Sequence, residues 1–375
     1  MYGHTAIRFQ DKQTGRDIAI NYGVFSFDQP FFVLRFVFGL TDYEMGIAPF
    51  DIFEWEYGPT GCGVRQQVLN LTAQEKMAIA QAVDRNMEPQ NRVYRYNFFY
   101  DNCTTRARDI IANNLNGRIV YDSSTPQHLN TSTPQHHNTP AQYPTFRNLI
   151  HNYNETHRWA RFGNDLLLGV KADYNTTFEQ QQFLPERLCA DFERAHIISA
   201  DGTKRNLVSS SFWLFEPTTK QQSTQQTNMS ILDVFSPLVT FSILSILTLI
   251  IAIVEYRRKR IIWVFDTSLM LTTGACGLLL FAMIFSQHPT VSLNLQILLL
   301  NPINIFMLYS VTKAARQNRI HWWTKAWSAL ILLLLAGSFL QSYAEGITIV
   351  ALSLLLRNIS NIYTFKNTGS KQPEA

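Results

Sequence analysis

The sequence predicts an α+β domain followed by an α-helical bundle of about five transmembrane helices. Two observations lead to this fold class. Hydrophobic residues make up 46% of the 375-residue chain and charged residues only 16%, well below the roughly 25% charged residues of soluble domains. In addition, apolar runs of membrane-spanning length occur only after residue 231, whereas the first 230 residues alternate short strand and helix patterns.

Strand patterns open the N-terminal part. Thr5–Phe9 and Asp17–Phe27 have the alternating pattern of strands, and the polar turn between them predicts a β-hairpin. The aromatic-rich segment Asn91–Tyr100 predicts a further strand, because aromatic residues are enriched in sheets.

Two helices in this part have recognisable start signals. Thr72 and Glu75 have the spacing of a capping box, which predicts a helix to about Asn86. A second helix is predicted over residues 103–115, after the Asp-Asn pair at 101–102 that can cap its N-terminus.

A repeated segment interrupts the N-terminal part. The repeat STPQHLNT, then STPQHHNT, is typical of a solvated low-complexity insertion. Its histidines, His128, His136 and His137, are not expected to form a metal site. The predicted parts of the chain are a candidate catalytic domain (1–122), the insertion (123–142), the remainder of the extracytoplasmic domain (143–219), a linker (220–230) and a transmembrane domain (231–375).

Five apolar segments are long enough to cross about 30 Å of hydrocarbon. The basic residues that follow the first and third segments, at 257–260 and 313–325, predict cytoplasmic loops, which puts the N-terminal domain outside and the C-terminus inside. Arg357 lies within the fifth segment, and we expect its side chain to extend to the membrane surface. The predicted spans are 232–255, 261–286, 290–311, 327–343 and 346–363.

The charge distribution agrees with this division. From Ile231 onward the chain has 11 Lys/Arg and 5 Asp/Glu, so the basic surplus lies in the membrane part. The formal net charge of +4 is too small to indicate a nucleic-acid partner. An external domain requires an export signal, and since no apolar segment precedes His4, we expect the natural protein to begin upstream.

Cys103 is the strongest candidate nucleophile. In the first turn of a helix its sulfur would lie beside unpaired amide groups and the positive end of the helix dipole, which stabilise a thiolate. Arg106 would add positive potential, and Asp101 and Asn102 are further supporting residues. The alternative is a small, inert core cysteine.

His4 is the candidate general base, because a cysteine nucleophile needs an imidazole to take and return its proton. The predicted hairpin brings Asn21 and Tyr22 roughly opposite His4, so Asn21 is the candidate for orienting the ring. A histidine that is merely hydrogen-bonded within the core is the alternative.

The other three cysteines rank below Cys103. Cys62 lies in a glycine-rich loop, Cys189 in an apolar-flanked segment and Cys276 within the second span. A Cys62–Cys189 disulfide is an open alternative in an oxidising compartment.

Four polar residues at or within the membrane are candidate substrate contacts, because polar groups are costly there. Hydrogen bonding between helices is the competing explanation for two of them, Asp266 and Asn301. The four candidates are Asp266, His288, Asn294 and Asn301.

Several motifs resemble the Lnb family of bacterial lipoprotein N-acyltransferases. In the N-terminal part they are GHTAIR (3–8), NYGVFSF (21–27), LNLTAQEK (69–76) and FFYDNCTTR (98–106). SQHP (286–289) and LNP (300–302) resemble the membrane portion of that family. The order of histidine before cysteine is also similar to the circularly permuted papain-like group, which includes NlpC-like and lecithin–retinol-acyltransferase-like enzymes.

The resemblance implies a permuted papain-like domain with Cys103 as nucleophile and His4 as base. It implies an enzyme of the bacterial cytoplasmic membrane, with a periplasmic N-terminal domain, that moves an acyl chain from a phospholipid through a Cys103 thioester to the α-amine of a diacylated lipoprotein. No cofactor is expected. Two other functions stay open: a membrane-tethered cysteine peptidase or amidase, and a non-catalytic sensor or assembly module.

Overall fold

The chain divides into two compact units. The N-terminal unit comprises residues 1–146 and 175–228, and the C-terminal unit comprises residues 147–174 and 229–375. The computed structural model describes residues 2–25, 30–57, 61–121, 143–217 and 235–365.

Several predicted features fall on residues that are not described. They are the insertion at 123–142 with His128, His136 and His137, and the linker at 220–230.

The described residues contain short strands and seven helices before the apolar helices begin. The strands are β1 (Ala6–Asp11), β2 (Arg16–Val24), β3 (Asp42–Pro49), β4 (Val64–Leu69), β5 (Val93–Arg95), β6 (Arg118–Val120), β7 (His196–Ile198), β8 (Lys204–Asn206) and β9 (Val208–Phe215). The helices are α1 (Phe32–Val37), α2 (Phe50–Tyr57), α3 (Ala73–Met87), α4 (Cys103–Ala112), α5 (Phe146–His151), α6 (Arg158–Leu167) and α7 (Pro185–Arg194). Strands and helices mix in the N-terminal unit, which confirms the α+β prediction for this part of the chain.

The largest sheet has the antiparallel order β1-β2-β3-β5. β1 and β2 form the predicted hairpin, with Ala6 opposite Asn21. The pairing of β2 with β3 is irregular, because the step from Asn21 to Val24 on β2 faces the shorter step from Gly46 to Glu44 on β3. This is the geometry of a β-bulge, a feature that often redirects a side chain next to an active site.

The predicted capping box of α3 is confirmed. The Thr72 hydroxyl accepts a hydrogen bond from the Glu75 amide, and the Glu75 carboxylate accepts one from the Thr72 amide at 2.8 Å. The Glu75 carboxylate also accepts a hydrogen bond from the Asn116 amide, and the residue is fully buried. The Glu75 carboxylate therefore links the start of α3 to the chain that follows α4.

The strand predicted at Asn91–Tyr100 is mostly wrong, because only Val93–Arg95 pairs in the sheet. Beyond it the chain turns back on itself. Asn97 and Asp101 exchange backbone hydrogen bonds of 2.8 and 2.9 Å, and the Asn97 side chain accepts from the amide of Phe99. This turn leads directly into α4.

A hydrophobic core joins the sheet to α3, α4 and α7. It contains buried residues from each layer, and Cys103 packs against its edge. Representative core residues are Ile20, Met45, Ile79, Ile110, Leu188 and Phe192. This packing fixes the start of α4 against the sheet.

The C-terminal unit contains five helices long and apolar enough to cross a membrane, as predicted. The fourth begins earlier than expected, because the indoles of Trp323 and Trp327 bond inside the unit to the Asn304 side chain and the Leu299 carbonyl. The five candidate spans are Pro237–Arg258, Trp263–Met283, Leu295–Arg316, Trp322–Phe339 and Ile347–Phe365.

Residues 147–174 group with these apolar helices, although the sequence places 143–219 in the extracytoplasmic domain. Two contacts explain this grouping. The Asn294 side-chain nitrogen donates to the Leu166 backbone carbonyl at 2.8 Å. The Gln296 side-chain nitrogen donates to the Asp165 backbone carbonyl at 3.0 Å.

Arg357 does not extend to the membrane surface, contrary to expectation. It is 1% exposed and binds Glu255 with two hydrogen bonds of 2.7 and 3.0 Å. It also pairs with Asp266 at 2.5 Å, and Asn361 donates to Glu255 at 2.9 Å. One guanidinium therefore joins the first, second and fifth spans.

We predict that Arg357→Ala strongly destabilises the C-terminal unit, since it leaves Glu255 and Asp266 without their cationic partner. Removing one member of a buried ion pair costs about 3–5 kcal/mol. Equilibrium unfolding in detergent measures the loss, with Arg258→Ala, at an exposed position, as the matched control. Equal stability of the two variants would contradict the prediction.

Candidate active site

Cys103 is the first residue of α4, and Asn102 caps this helix. The Asn102 side-chain oxygen accepts hydrogen bonds from the amides of Thr104 at 2.9 Å and Thr105 at 3.0 Å. Its side-chain nitrogen donates to two backbone carbonyls, each at 2.9 Å. Every polar group of this buried amide is thus in use, and the start of the helix is held rigidly.

His4 lies just before β1 and contacts Asn21 on β2. The His4 Nε2 atom is 2.8 Å from the Asn21 Oδ1 atom. The Gly23 amide donates to the same Oδ1 atom at 2.7 Å, which identifies it as the oxygen of the side chain. Since an amide oxygen only accepts, Nε2 carries a proton and Nδ1 is the ring nitrogen left for the thiol.

His4 and Cys103 lie close enough together for each to shift the pKa of the other. Burial alone would lower the pKa of His4, but the hydrogen bond to Cys103, the charge of the sulfur and the bond to Asn21 outweigh it and raise this pKa. Burial alone would raise the pKa of Cys103, but the hydrogen bond and charge of His4 outweigh it and lower this pKa. Both shifts favour a thiolate paired with an imidazolium.

Two further groups surround the sulfur. The Thr5 backbone and the Thr104 hydroxyl, which lies 3.9 Å from the sulfur, both lower the pKa of Cys103. Because Asn102 occupies the amides of Thr104 and Thr105, these cannot bind a developing oxyanion. The Cys103 amide makes no hydrogen bond to another described residue, so it is the helix-start donor that remains for this role.

The sequence reading missed Gly23. A Cβ atom there would lie 2.6 Å from the His4 Cε1 atom and 3.1 Å from the Asn21 side-chain oxygen. Only glycine therefore leaves room for the imidazole next to its orienting amide. The signal was present as the glycine that follows Asn21 and Tyr22 in an otherwise regular strand pattern.

Aromatic rings enclose the dyad. The Tyr57 ring lies parallel to the His4 ring at a centroid distance of 6.5 Å, and Phe53 lies 6.4 Å away. Burial, and to a smaller extent the charge of Cys103, raises the pKa of Tyr43 to about 12. The Tyr43 phenol is therefore neutral at physiological pH. Together with the Phe53 and Tyr57 rings it gives the site largely apolar surroundings.

The charge of Arg106 is paired with a carboxylate. Its guanidinium binds both oxygens of Asp101 at 2.7 Å and lies 3.7 Å from the centre of the Tyr94 ring. The Tyr94 hydroxyl donates to the Tyr22 carbonyl. Asp101, Arg106 and Tyr22 thus brace the start of α4 and the bulge of β2.

A polar cavity of about 510 Å³ adjoins this brace. Its walls include Tyr22, Asp101 and Arg106, together with Arg85 and Asn86 of α3. His4 and Cys103 do not line it.

All four polar candidates in the membrane part have hydrogen-bond partners within the C-terminal unit. Asp266 pairs with Arg357, Asn294 bonds to the Leu166 carbonyl, and Asn301 accepts from the Ile303 amide at 3.0 Å. The amide of His288 donates to the Ser286 hydroxyl at 3.2 Å. The role of Asp266, His288, Asn294 and Asn301 at a lipid substrate stays a prediction.

None of the four cysteines forms a disulfide, so Cys62 and Cys189 are not bridged. Burial raises the pKa of Cys189, in contrast to that of Cys103. Within the described ranges, no group of three or more His, Cys, Asp or Glu side chains could hold a metal ion.

Two family models match the chain. The Lnb N-terminal periplasmic domain matches residues 1–149, and the Lnb transmembrane domain matches residues 226–368. The two matches together cover most of the sequence. No curated protein and no solved structure gives a match.

We predict that His4→Ala raises the pKa of the Cys103 thiol, because it removes the hydrogen bond and the positive charge that lower it. The thiolate forms as pH rises through this pKa, so the midpoint for alkylation by iodoacetamide should move to higher pH. The rate at pH 7 should fall by about tenfold or more. Cys189 is the internal control, and an unchanged Cys103 midpoint would show that the two residues are not coupled.

We predict that Gly23→Ala displaces the His4 ring and reproduces much of the effect of His4→Ala on alkylation of Cys103. A displacement of about 1 Å in a catalytic group can cost about 100-fold in rate. Gly163→Ala is the matched control, because its added Cβ meets open space. Wild-type alkylation kinetics in Gly23→Ala would refute this positioning role.

Proposed function

This chain belongs to the Lnb family, and from that premise we propose that it is a lipoprotein N-acyltransferase that uses Cys103 and His4. Its family models describe a periplasmic N-terminal domain and a transmembrane domain, and its five long apolar helices fit a multi-pass protein of the inner membrane. We further propose that its C-terminus is cytoplasmic, as the basic loops indicate.

One observation carries the chemical proposal. Asn21 accepts a hydrogen bond from His4, and His4 lowers the pKa of a cysteine at a helix N-terminus. This is the arrangement of an activated nucleophile with its general base and an orienting third group. A structural cysteine would need neither the oriented imidazole nor the thiolate-stabilising contacts.

In the first half-reaction, the Cys103 thiolate attacks the carbonyl carbon of a phospholipid ester. The sulfur–carbon bond forms, the ester carbon–oxygen bond breaks, and the His4 imidazolium gives its proton to the leaving lysophospholipid oxygen. The Cys103 amide supports the negative charge that develops on the carbonyl oxygen. The products are an acyl-thioester on Cys103 and a lysophospholipid.

In the second half-reaction, the α-amine of a diacylated lipoprotein attacks the thioester. A carbon–nitrogen bond forms, the carbon–sulfur bond breaks, and neutral His4 takes the proton from the amine. The Cys103 thiolate is regenerated together with the imidazolium. The reaction balances without a cofactor or an external acid.

The two proton transfers give His4 opposite roles in the two halves of the cycle. Its raised pKa keeps the imidazolium present to higher pH than for a free histidine, and the lowered pKa of Cys103 supplies thiolate at lower pH. The two shifts therefore widen the pH range in which the reactive ion pair exists.

The test is the mass of the acceptor. The purified chain is reconstituted in phospholipid vesicles with a synthetic diacylated lipopeptide, and we expect the lipopeptide to gain one acyl chain. Cys103→Ala should abolish the gain, and His4→Ala should reduce its rate by about 10²–10⁴-fold. Cys189→Ala, which changes a thiol outside the site, should retain it.

Other outcomes point to other functions. Release of fatty acid with an unchanged lipopeptide indicates a lipid hydrolase. No change in either lipid contradicts the proposal and favours the peptidase, amidase or sensor alternatives. An acyl mass on the Cys103 peptide when the acceptor is omitted, and ping-pong kinetics when it is present, are expected of a thioester intermediate.

A further inference from the structure

Helices α1 and α2 expose several large apolar side chains. Phe31, just before α1, is 77% exposed, and Leu34 on α1 is 55% exposed. On α2, Ile52 is 57% and Trp55 is 75% exposed. We call these four residues the apolar rim.

The backbone at Phe31 is unusual. Its φ angle of 58° lies in the left-handed region, which bulky residues rarely adopt. Such strain persists only where the surrounding structure maintains it, and it is concentrated at functional sites. Here it accompanies an aromatic ring that projects into solvent.

The rim residues of α2 border the catalytic dyad. Phe53 and Tyr57 of the same helix pack against the His4 ring. Ile52 and Trp55 are three positions apart and therefore share a face of the helix, which lies away from these inward rings. α2 thus contacts the dyad on one face and exposes apolar groups on another.

α1, which carries Leu34 of the rim, also reaches the surroundings of the sulfur through the ring of Phe36. Phe36 of α1 lies 6.3 Å from Tyr96, and Tyr96 lies 4.1 Å from Tyr43, measured between ring centres. The charge of Cys103 acts on both tyrosines. A row of three stacked rings therefore runs from α1 to the surroundings of the nucleophile.

We propose that the apolar rim inserts into the outer surface of the lipid bilayer and presents the acyl chain of a phospholipid to Cys103. This inference rests on the proposed function for the identity of the donor. Phenylalanine, leucine and tryptophan side chains favour the boundary between head groups and acyl chains. The donor ester lies at that boundary, so shallow insertion of α1 and α2 brings the dyad to the depth of its reacting bond.

The charges on α2 specify the lipid surface further. Asp51, Glu54 and Glu56 alternate with the apolar residues of this helix, and Arg35 on α1 faces Asp42 at 4.0 Å. The rim therefore lacks the excess of basic residues that attracts anionic lipids. Insertion should occur in zwitterionic phosphatidylcholine and should not strengthen when anionic lipid is added.

Photo-crosslinking tests the insertion directly. The full chain is reconstituted in nanodiscs of phosphatidylcholine that carries a diazirine on its acyl chain, and crosslinked peptides are identified by mass spectrometry. We expect lipid adducts on the peptides that contain Phe31, Leu34 and Trp55. Met77 on α3, which is 64% exposed, is the matched control and should carry none.

Replacing the rim separates docking from chemistry. Leu34→Ser combined with Trp55→Ser should reduce acyl transfer from bilayer phospholipid by about tenfold or more, while transfer from a water-soluble short-chain phospholipid stays at the wild-type rate. The alkylation profile of Cys103 should also be unchanged, which shows that the site is intact. Met77→Ser should alter none of these measurements.

The outcomes distinguish this inference from the proposed function. Wild-type protein that transfers acyl chains, without lipid adducts on the rim or with equal rates in the rim variant, overturns the inference alone. Rim adducts that contain a second copy of the chain instead of lipid also overturn it. Wild-type protein that transfers from neither donor refutes the proposed function, and the lipid adducts then still decide whether the rim inserts.

Discussion

The cap at Asn102 is the interaction on which the rest of the candidate site depends. This side chain bonds to two amides of α4 and to two carbonyls outside it, so the helix can begin only at Cys103 and only in one orientation. In the hydrophobic core, α4 packs against the sheet that carries Asn21. A rotation of the helix start would separate the sulfur from the imidazole without any substitution of Cys103 or His4. The placement of the proposed nucleophile thus depends on the Asn102 side chain, whose polar atoms are all hydrogen-bonded within the fold.

The pKa shifts of Cys103 and His4 follow from competition between burial and local contacts. Burial disfavours both ions of the Cys103–His4 pair, yet each ion receives enough hydrogen bonds and opposite charge to reverse this effect. Gly23 makes the balance possible because it lets the ring approach Asn21 closely. The apolar surround supplied by Tyr43 and Tyr57 strengthens the electrostatic attraction that remains. For the proposed function, partial exclusion of water therefore strengthens the attraction between the two candidate residues.

The sequence predicted the features that are encoded locally. The hairpin, the cap at Thr72 and the helix start at Cys103 depend on residues close together in the chain, and the predicted register placed Asn21 near His4. The sequence did not predict that Arg357 would meet Glu255, because 102 positions separate them and only packing brings the helices together. It also extended the strand beyond Arg95, since aromatic residues that favour a sheet here fill a turn. In both cases tertiary contacts outweigh local preference.

The cluster around Arg357 has a consequence for how the membrane part assembles. Glu255, Asp266 and Arg357 belong to three different apolar helices, and a charged side chain in an isolated helix raises the cost of entry into lipid. The first two helices leave the ribosome well before the fifth. During synthesis, Glu255 and Asp266 are therefore present before Arg357 has been made. The bundle is complete only when the last helix arrives and neutralises the earlier ones. A product that stops before Arg357 therefore lacks the cation that pairs with both Glu255 and Asp266.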